Sequence, residues 1–315
     1  MADVRSAHTH PQHREQPPAA RPEEGGGLPH DRLATAVPRS RAAAGREPAD
    51  ARTPELTGGA SDEPPARRGF VALDVGTART RSVSSGGCAI ADRPSAVVGR
   101  PSGVPGPVRP VRHGVVADPA AYLRLVRLVL LEARWSGAWP PERVLTGVPV
   151  AATPDDRRVV SAAVAEVAGC EATLVEGPLA AAVGAGLDVT GPRPCLLLDV
   201  GAGLVEAVVI DGGVITDAAV LQLSATTGTG LPLYALDGVV DMTAGLLRRL
   251  PGRLRSAGLV VTGGGARQER LLERLRAALR VPVGAAPEPE HATIRGLVGL
   301  CPQPVPAART TARGR

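Results

Sequence analysis

The sequence contains no lysine; all 36 of its basic residues are arginine. That absence excludes a phosphate-loop lysine, a Schiff base and a lysine proton donor. Aromatic residues are nearly as scarce, at 2% of the chain, so a core must be built from leucine, valine and alanine, which the 43% hydrophobic content supplies. The same scarcity argues against nucleic acid as the partner of the +5 formal charge. The arginines are scattered, and no basic run is interleaved with aromatics on which bases would stack. Cys88, Cys170, Cys195 and Cys301 are far apart and form no Cys-x-x-Cys pair, which speaks against structural zinc. Cys195 opens an apolar run and reads as a small buried hydrophobe. Such sparse cysteines fit a reducing cytoplasmic compartment. There is no uncharged apolar run of about 18 residues, so no spanning helix is expected. No apolar segment follows the start, so no signal peptide is expected, and membrane contact is at most peripheral.

Residues 1–68 hold ten prolines, ten arginines, ten acidic residues and no aromatic. They read as a disordered, low-complexity tail. His8, His10 and His13 lie in it without a ligand spacing that demands a metal. Residues 302–315 read as a basic, loose tail.

Between the tails, one short pattern occurs twice. Phe-Val-Ala-Leu-Asp-Val-Gly-Thr-Ala-Arg-Thr spans 70–80, and Cys-Leu-Leu-Leu-Asp-Val-Gly-Ala-Gly-Leu-Val-Glu spans 195–206. Each is an apolar run, then Leu-Asp-Val-Gly, then a second apolar stretch closed by Gly-Gly, and Asp74 and Asp199 are 125 residues apart. A strand that ends in Asp-x-Gly and folds back as a hairpin suits a phosphate. Glycine leaves room, backbone N–H groups face anionic oxygens, and the carboxylate is placed to hold a hydrated divalent cation. A single such loop is weak evidence; a matched pair indicates a duplicated domain with a ligand between its halves. A third small-residue loop, Gly263-Gly264-Gly265-Ala266, lies between a strand and a helix.

The order of elements supports duplication. Strands are expected at 70–75, 80–85 and 88–98, then a Pro/Gly-rich loop over 100–110. A helix follows from Asp118-Pro119 to Trp135, with Tyr122, Leu125, Val126, Val129 and Leu130 on one face. Strand 144–150, a helix from the Thr153–Asp156 capping box to Ala168, strand 172–176 and helix 178–186 complete one half. The second half has strands at 195–200, 205–210 and 213–221, a loop over 222–236, helix 239–250, strand 258–262, a helix to Arg280, a short strand and helix 289–300. The fold class is α/β: two mixed sheets with helices on both faces, around a central cleft.

These motifs resemble the actin-like ATPases, and among them the MreB/Mbl family. Leu73–Thr80 is similar to its first phosphate motif, Leu198–Gly203 to its second, and Val261–Ala266 to its adenosine motif. Arg93–Val98, Arg109–Asp118 and Glu176–Leu187 resemble the strand after the first motif, the entry to the first long helix and the connecting helix. The resemblance covers 69–301. It implies an actin-like (ribonuclease H-like) fold, with a first subdomain at 69–188 completed by helix 289–301 and a second at 189–288. It implies ATP as cofactor with Mg2+. Asp74 and Asp199 would hold the metal through water, and Gly76, Thr77, Ala78, Arg79, Gly201, Ala202, Gly203, Gly263, Gly264, Gly265 and Ala266 would bind the nucleotide. It further implies self-association or assembly with other MreB-type proteins, and work with the cell-wall morphogenesis machinery.

The departures bear on activity. Little sequence stands between 98 and 109 or between 221 and 239, where the family carries two small subdomains. The family's Glu-Glu-Pro segment reads Glu176-Gly177-Pro178, so the carboxylate that orients water is replaced by Gly177, and Glu176 is the one catalytic candidate left. The family's paired threonines are Leu204 and Val205, which cannot position water. Glu206 matches the glutamate after them and reads as part of the hairpin. Arg79 replaces an asparagine and either meets a phosphate or points to solvent. The expectation is an ATP-binding shape or wall-morphogenesis protein with weak or absent hydrolysis. The alternative is a nucleotide-independent interaction or scaffold module. A small-molecule kinase would need Asp155 or Asp156 as its base, but both are explained as first-turn helix residues. The lack of lysine and of a peptide-binding domain speaks against a chaperone ATPase.

Overall fold

The computed structural model describes residues 69–85, 89–98, 106–135, 139–223, 231–250 and 258–301. The expected tails, Cys88 and the loop segments 99–105 and 224–230 lie outside the described residues.

In chain order the first half comprises β1 (Phe70–Val75), β2 (Arg79–Ser84), β3 (Ala91–Pro94), β4 (Val97–Val98), β5 (Pro107–Val108), β6 (Val111–Arg112), β7 (Val115–Val116), α1 (Pro119–Trp135), β8 (Arg143–Val148), α2 (Pro154–Ala168), β9 (Ala172–Glu176) and α3 (Gly177–Gly184). The second comprises β10 (Cys195–Val200), β11 (Leu204–Asp211), β12 (Val214–Gln222), α4 (Ala235–Arg249), β13 (Leu259–Thr262), a 3₁₀ turn (Gly264–Arg267), α5 (Glu269–Leu279), β14 (Val283–Ala285), a second 3₁₀ turn (Pro289–His291) and α6 (Ala292–Leu300).

The two large sheets have the same order, β3-β2-β1-β8-β9 and β12-β11-β10-β13-β14. In each, the first three strands form an antiparallel meander and the last two pair in parallel. The central strands are buried on both faces, as unbroken apolar runs require. Val71 and Leu73 pack with Tyr122, Leu125, Val160 and Val164 of α1 and α2, whereas Ala72 packs with Ala180 of α3 and Ile294 and Leu297 of α6. Likewise Leu196 and Leu198 face Val239, Leu246, Leu271 and Leu275 of α4 and α5, whereas Leu197 faces Ala181, Ala182 and Ala292. The helices α3 and α6 are therefore one layer shared by both sheets. Their small residues let them fit. A Cβ on Gly184 would stand 1.9 Å from Ala292 O, and one on Gly296 1.7 Å from Ala180 O, so only glycine allows the backbones this close.

Local chemistry sets the element ends. Thr153 and Asp156 form the expected capping box on α2, and Asp118 Oδ1 accepts from Ala121 N at 2.9 Å on α1. Two expectations are corrected. The strand expected over 88–98 is divided, because Ser95 leaves the ladder. The helix expected at 239 begins at Ala235, with Ala235 N bonded to Pro232 O rather than to a polar cap. The Gly-rich segment lies between β13 and α5, as expected, and forms a 3₁₀ turn of its own before α5 starts at Glu269. No described helix is long and apolar enough to cross a membrane.

Candidate functional site

The two Leu-Asp-Val-Gly strands end at the same cleft. In the first hairpin Gly76 N donates to Arg79 O at 3.0 Å; in the second Gly201 N donates to Leu204 O at 2.9 Å. The registers match as well: Asp74 stands opposite Arg81, and Asp199 opposite Glu206. The tips meet, since a Cβ on Gly203 would lie 2.7 Å from Thr77 Oγ1. The cleft has a volume of about 470 Å³, and its walls include Asp74, Gly76, Thr77, Ala78, Arg79, Arg81, Asp199, Gly201, Ala202, Gly203, Gly263, Gly264 and Gly265.

Second-rank contacts hold these loops. Ser95, fully buried, donates its hydroxyl to Gly76 O at 2.6 Å and its N–H to Ala78 O at 2.9 Å, and takes the Thr80 hydroxyl at 2.8 Å. The two-residue turn His113-Gly114 joins β6 to β7 with positive φ at both positions (50° and 77°), the geometry of a tight hairpin. From it Gly114 N donates to Thr77 Oγ1 at 3.1 Å and His113 Nδ1 to Gly203 O at 3.3 Å, so one hairpin touches both loops. Glu206 links the halves at the cleft floor by accepting from Val150 N at 2.8 Å.

The cleft concentrates carboxylates. Burial pushes Asp74 up to about 6, with Asp199 and Asp92 adding and Arg81 opposing. Burial also raises Asp199, against its hydrogen bond from the Thr262 hydroxyl at 2.8 Å and the charge of Arg81. Glu206 is pushed up to about 8 by burial and by Asp199, against the backbone donors Val150 and Ala151. Among them Arg81 is a nearly buried cation, 3.7 Å from Asp74 Oδ2 and 3.2 Å from Asp92 Oδ2. Acidic oxygens that resist ionisation are relieved by a divalent cation.

The third loop closes on the second strand. Gly263, at φ 80°, approaches so near that a Cβ would stand 2.5 Å from Val200 O, and one on Gly265 2.2 Å from Val200 Cγ1. Gly264 differs: it lines the cleft, and a Cβ there would meet no protein atom within 4 Å. Packing does not require that glycine, and its missing side chain leaves open space on the cleft wall.

The model of the MreB/Mbl protein family matches residues 68–226, half of the chain. The chain belongs to the MreB/Mbl family. The cell shape-determining protein MreB of Escherichia coli (strain K12) is 29% identical over 175 residues, 48% of this chain and 50% of that protein, so the chain spans about half the length of this curated relative. The crystal structure of MreB5 of Spiroplasma citri bound to ADP is similar with a TM-score of 0.64 at 20% identity, covering 74% of this chain and 95% of that one. The MamK double helical filament gives 0.59 at 18% identity, covering 74% and 98%. These structures establish the actin-like fold.

Set against this family's pattern, most of the residues expected at the site stand at the cleft, and two do not. Glu176, the catalytic candidate, ends β9 with its carboxylate turned to Arg157 Nη2 at 3.1 Å, while Gly177 faces the cleft. The alternation of the strand sends Glu176 toward α2, and the neighbouring position carries no side chain to replace it. Ala266 turns its methyl into the core of the second half. Arg79 lies at the cleft edge, bonded to Asp92 Oδ1 at 2.8 Å and nearly half exposed. The sequence reading missed Arg81, Ser95, the His113-Gly114 turn and Gln268. For Arg81 a signal was present: in a hairpin closed at Gly76, it is the residue opposite Asp74.

Proposed function

We propose that this chain is a reduced MreB/Mbl protein that binds ATP with Mg2+ between its halves and acts in cell-shape or cell-wall morphogenesis, with weak or absent hydrolysis. The observation that carries the reading is the pair of equivalent Asp-tipped hairpins meeting across one cleft, beside a glycine whose missing side chain no protein atom explains. The residues fit the group. Asp74 and Asp199 are oxygen donors suited to a hydrated Mg2+, which would screen the phosphate charge. The backbone of 76–79 and 201–203 would cradle phosphate oxygens, Arg81 would add a positive charge, and Gly263–Gly265 would lie against the nucleoside. Poor hydrolysis is proposed from the residues that replace the family's water-positioning groups. Gly177 and Leu204 line the cleft and Val205 points into the core of the second half; none offers a group to orient or deprotonate water, and removing such groups typically lowers rates by about 10² to 10⁴ each.

Titration calorimetry of the full chain with magnesium-ATP tests the reading. Heat that saturates at micromolar to millimolar ATP and is lost in Asp199→Ala is the expected result; none at millimolar ATP removes it. Solved structures similar to this chain include a filament and nucleotide-bound forms, and on that basis we propose self-association and assembly with other MreB-type proteins. The proposed location is the cytoplasm, with peripheral membrane contact.

A second reading, a scaffold that needs no nucleotide, draws on the contacts that already tie the halves: Thr77 against Gly203, His113 on Gly203 O and Glu206 on Val150 N. Thermal melting with and without magnesium-ATP separates the two, since only a ligand of the native state raises the midpoint.

A further inference from the structure

One residue lining the cleft carries a buried polar atom without a partner among the described residues. Gln268 sits between the Gly264–Arg267 turn and α5, and its Nε2 donates to Leu231 O at 3.0 Å. A carbonyl only accepts, so this bond fixes which end of the amide faces Leu231 and leaves Oε1 as an acceptor on the other side. Oε1 is shielded from water and has no donor among the described residues. A buried acceptor left unsatisfied is unfavourable, and on a residue that lines the cleft it suits a donor from a ligand there. Its charged neighbour is already engaged: Arg267 Nε donates to Glu290 Oε2 at 2.8 Å. The adjacent open space at Gly264 provides room.

We infer that Gln268 Oε1 is a specificity-determining acceptor for the nucleoside half of the bound nucleotide. It takes a hydrogen bond from an N–H or O–H donor there, the exocyclic amino group of an adenine-type base or the ribose 2′-hydroxyl. A base carrying a carbonyl in place of that amino group would set acceptor against acceptor and be rejected. The inference rests on the nucleotide reading above and extends it, because the phosphate loops by themselves would take any triphosphate.

The test is calorimetry of the full chain in Mg2+ with ATP, ITP and 2′-deoxy-ATP, on the native protein and on Gln268→Met, which keeps the volume and loses the hydrogen bonds. The native protein is expected to bind ATP about tenfold more tightly than the analogue that lacks the donor, ITP for the base or 2′-deoxy-ATP for the ribose. In Gln268→Met the preference is expected to fall to a ratio near one, with affinity for that analogue unchanged. Equal native affinity for all three nucleotides overturns the inference without any variant. A Gln268→Met protein weakened equally toward all three overturns it too, since Gln268 would then act only by holding Leu231. If the native chain binds none of them, the nucleotide reading falls, and this inference with it.

Discussion

At Asp74 and Glu206 the carboxyl groups keep their protons to higher pH in the folded protein than their ordinary values of 3.8 and 4.5. Their folded forms titrate near 6 and 8. The folded state therefore binds more protons than the unfolded chain between those limits. This stabilisation is fully present below the ordinary values and is lost as pH rises through the raised ones. In chelator, the melting midpoint is expected to fall between about pH 5 and about pH 8, and Asp74→Asn with Glu206→Gln should flatten that slope. Magnesium-ATP should raise the midpoint more at the upper end of the range, where the carboxylates are charged; an equal rise at both ends would separate the ligand from these groups. Gly177 gives a second residue-scale prediction. A Cβ there meets only Val148 O, at 3.6 Å, so a larger side chain can be accepted. Gly177→Glu restores a carboxylate to the cleft wall and should raise phosphate release about tenfold or more; an unchanged rate would mean that Leu204 and Val205 set the limit.

The element scale shows what the sequence disclosed and what it hid. Helices α1 and α2 were legible because Asp118-Pro119 and Thr153–Asp156 are chemical start signals backed by an apolar stripe. The start of α4 was not, since Tyr234 offers no cap and the turn at Pro232 does the work instead. The duplicated hairpins could be read from four repeated residues. Ser95 and the His113-Gly114 turn could not, because each acts through a few long-range hydrogen bonds and leaves no period in the chain. Glu176 misled for the opposite reason: it is adjacent in sequence to the right position and faces the wrong side of the sheet. The crossing of α3 and α6 makes its own prediction. Gly184→Ala or Gly296→Ala forces apart backbones that both sheets press together, and each should cost about 1–3 kcal/mol, or more if the layer cannot shift. Denaturant midpoints measure this. A surface change such as Arg158→Ala, at an exposed i,i+3 pair with Asp155, is the control and should be nearly silent.

For the whole molecule, both halves line the cleft, so on the proposed reading affinity for magnesium-ATP depends on both at once. If, as proposed, both serve one ion, Asp74→Ala and Asp199→Ala should each weaken magnesium-ATP binding, and the double variant should lose less than the sum of the two. Fully additive losses would point to separate sites. The path of the chain between the halves has a further result. It leaves the first sheet along α3, builds the second sheet, and returns as α6 to cover Ala72 and Leu145. A ribosome making this protein would deliver every strand of the later half before the helix that seals the earlier one. A nascent chain halted just before Ala292 would thus expose apolar surface on its oldest sheet while its youngest was already built, and chaperones would be needed there first.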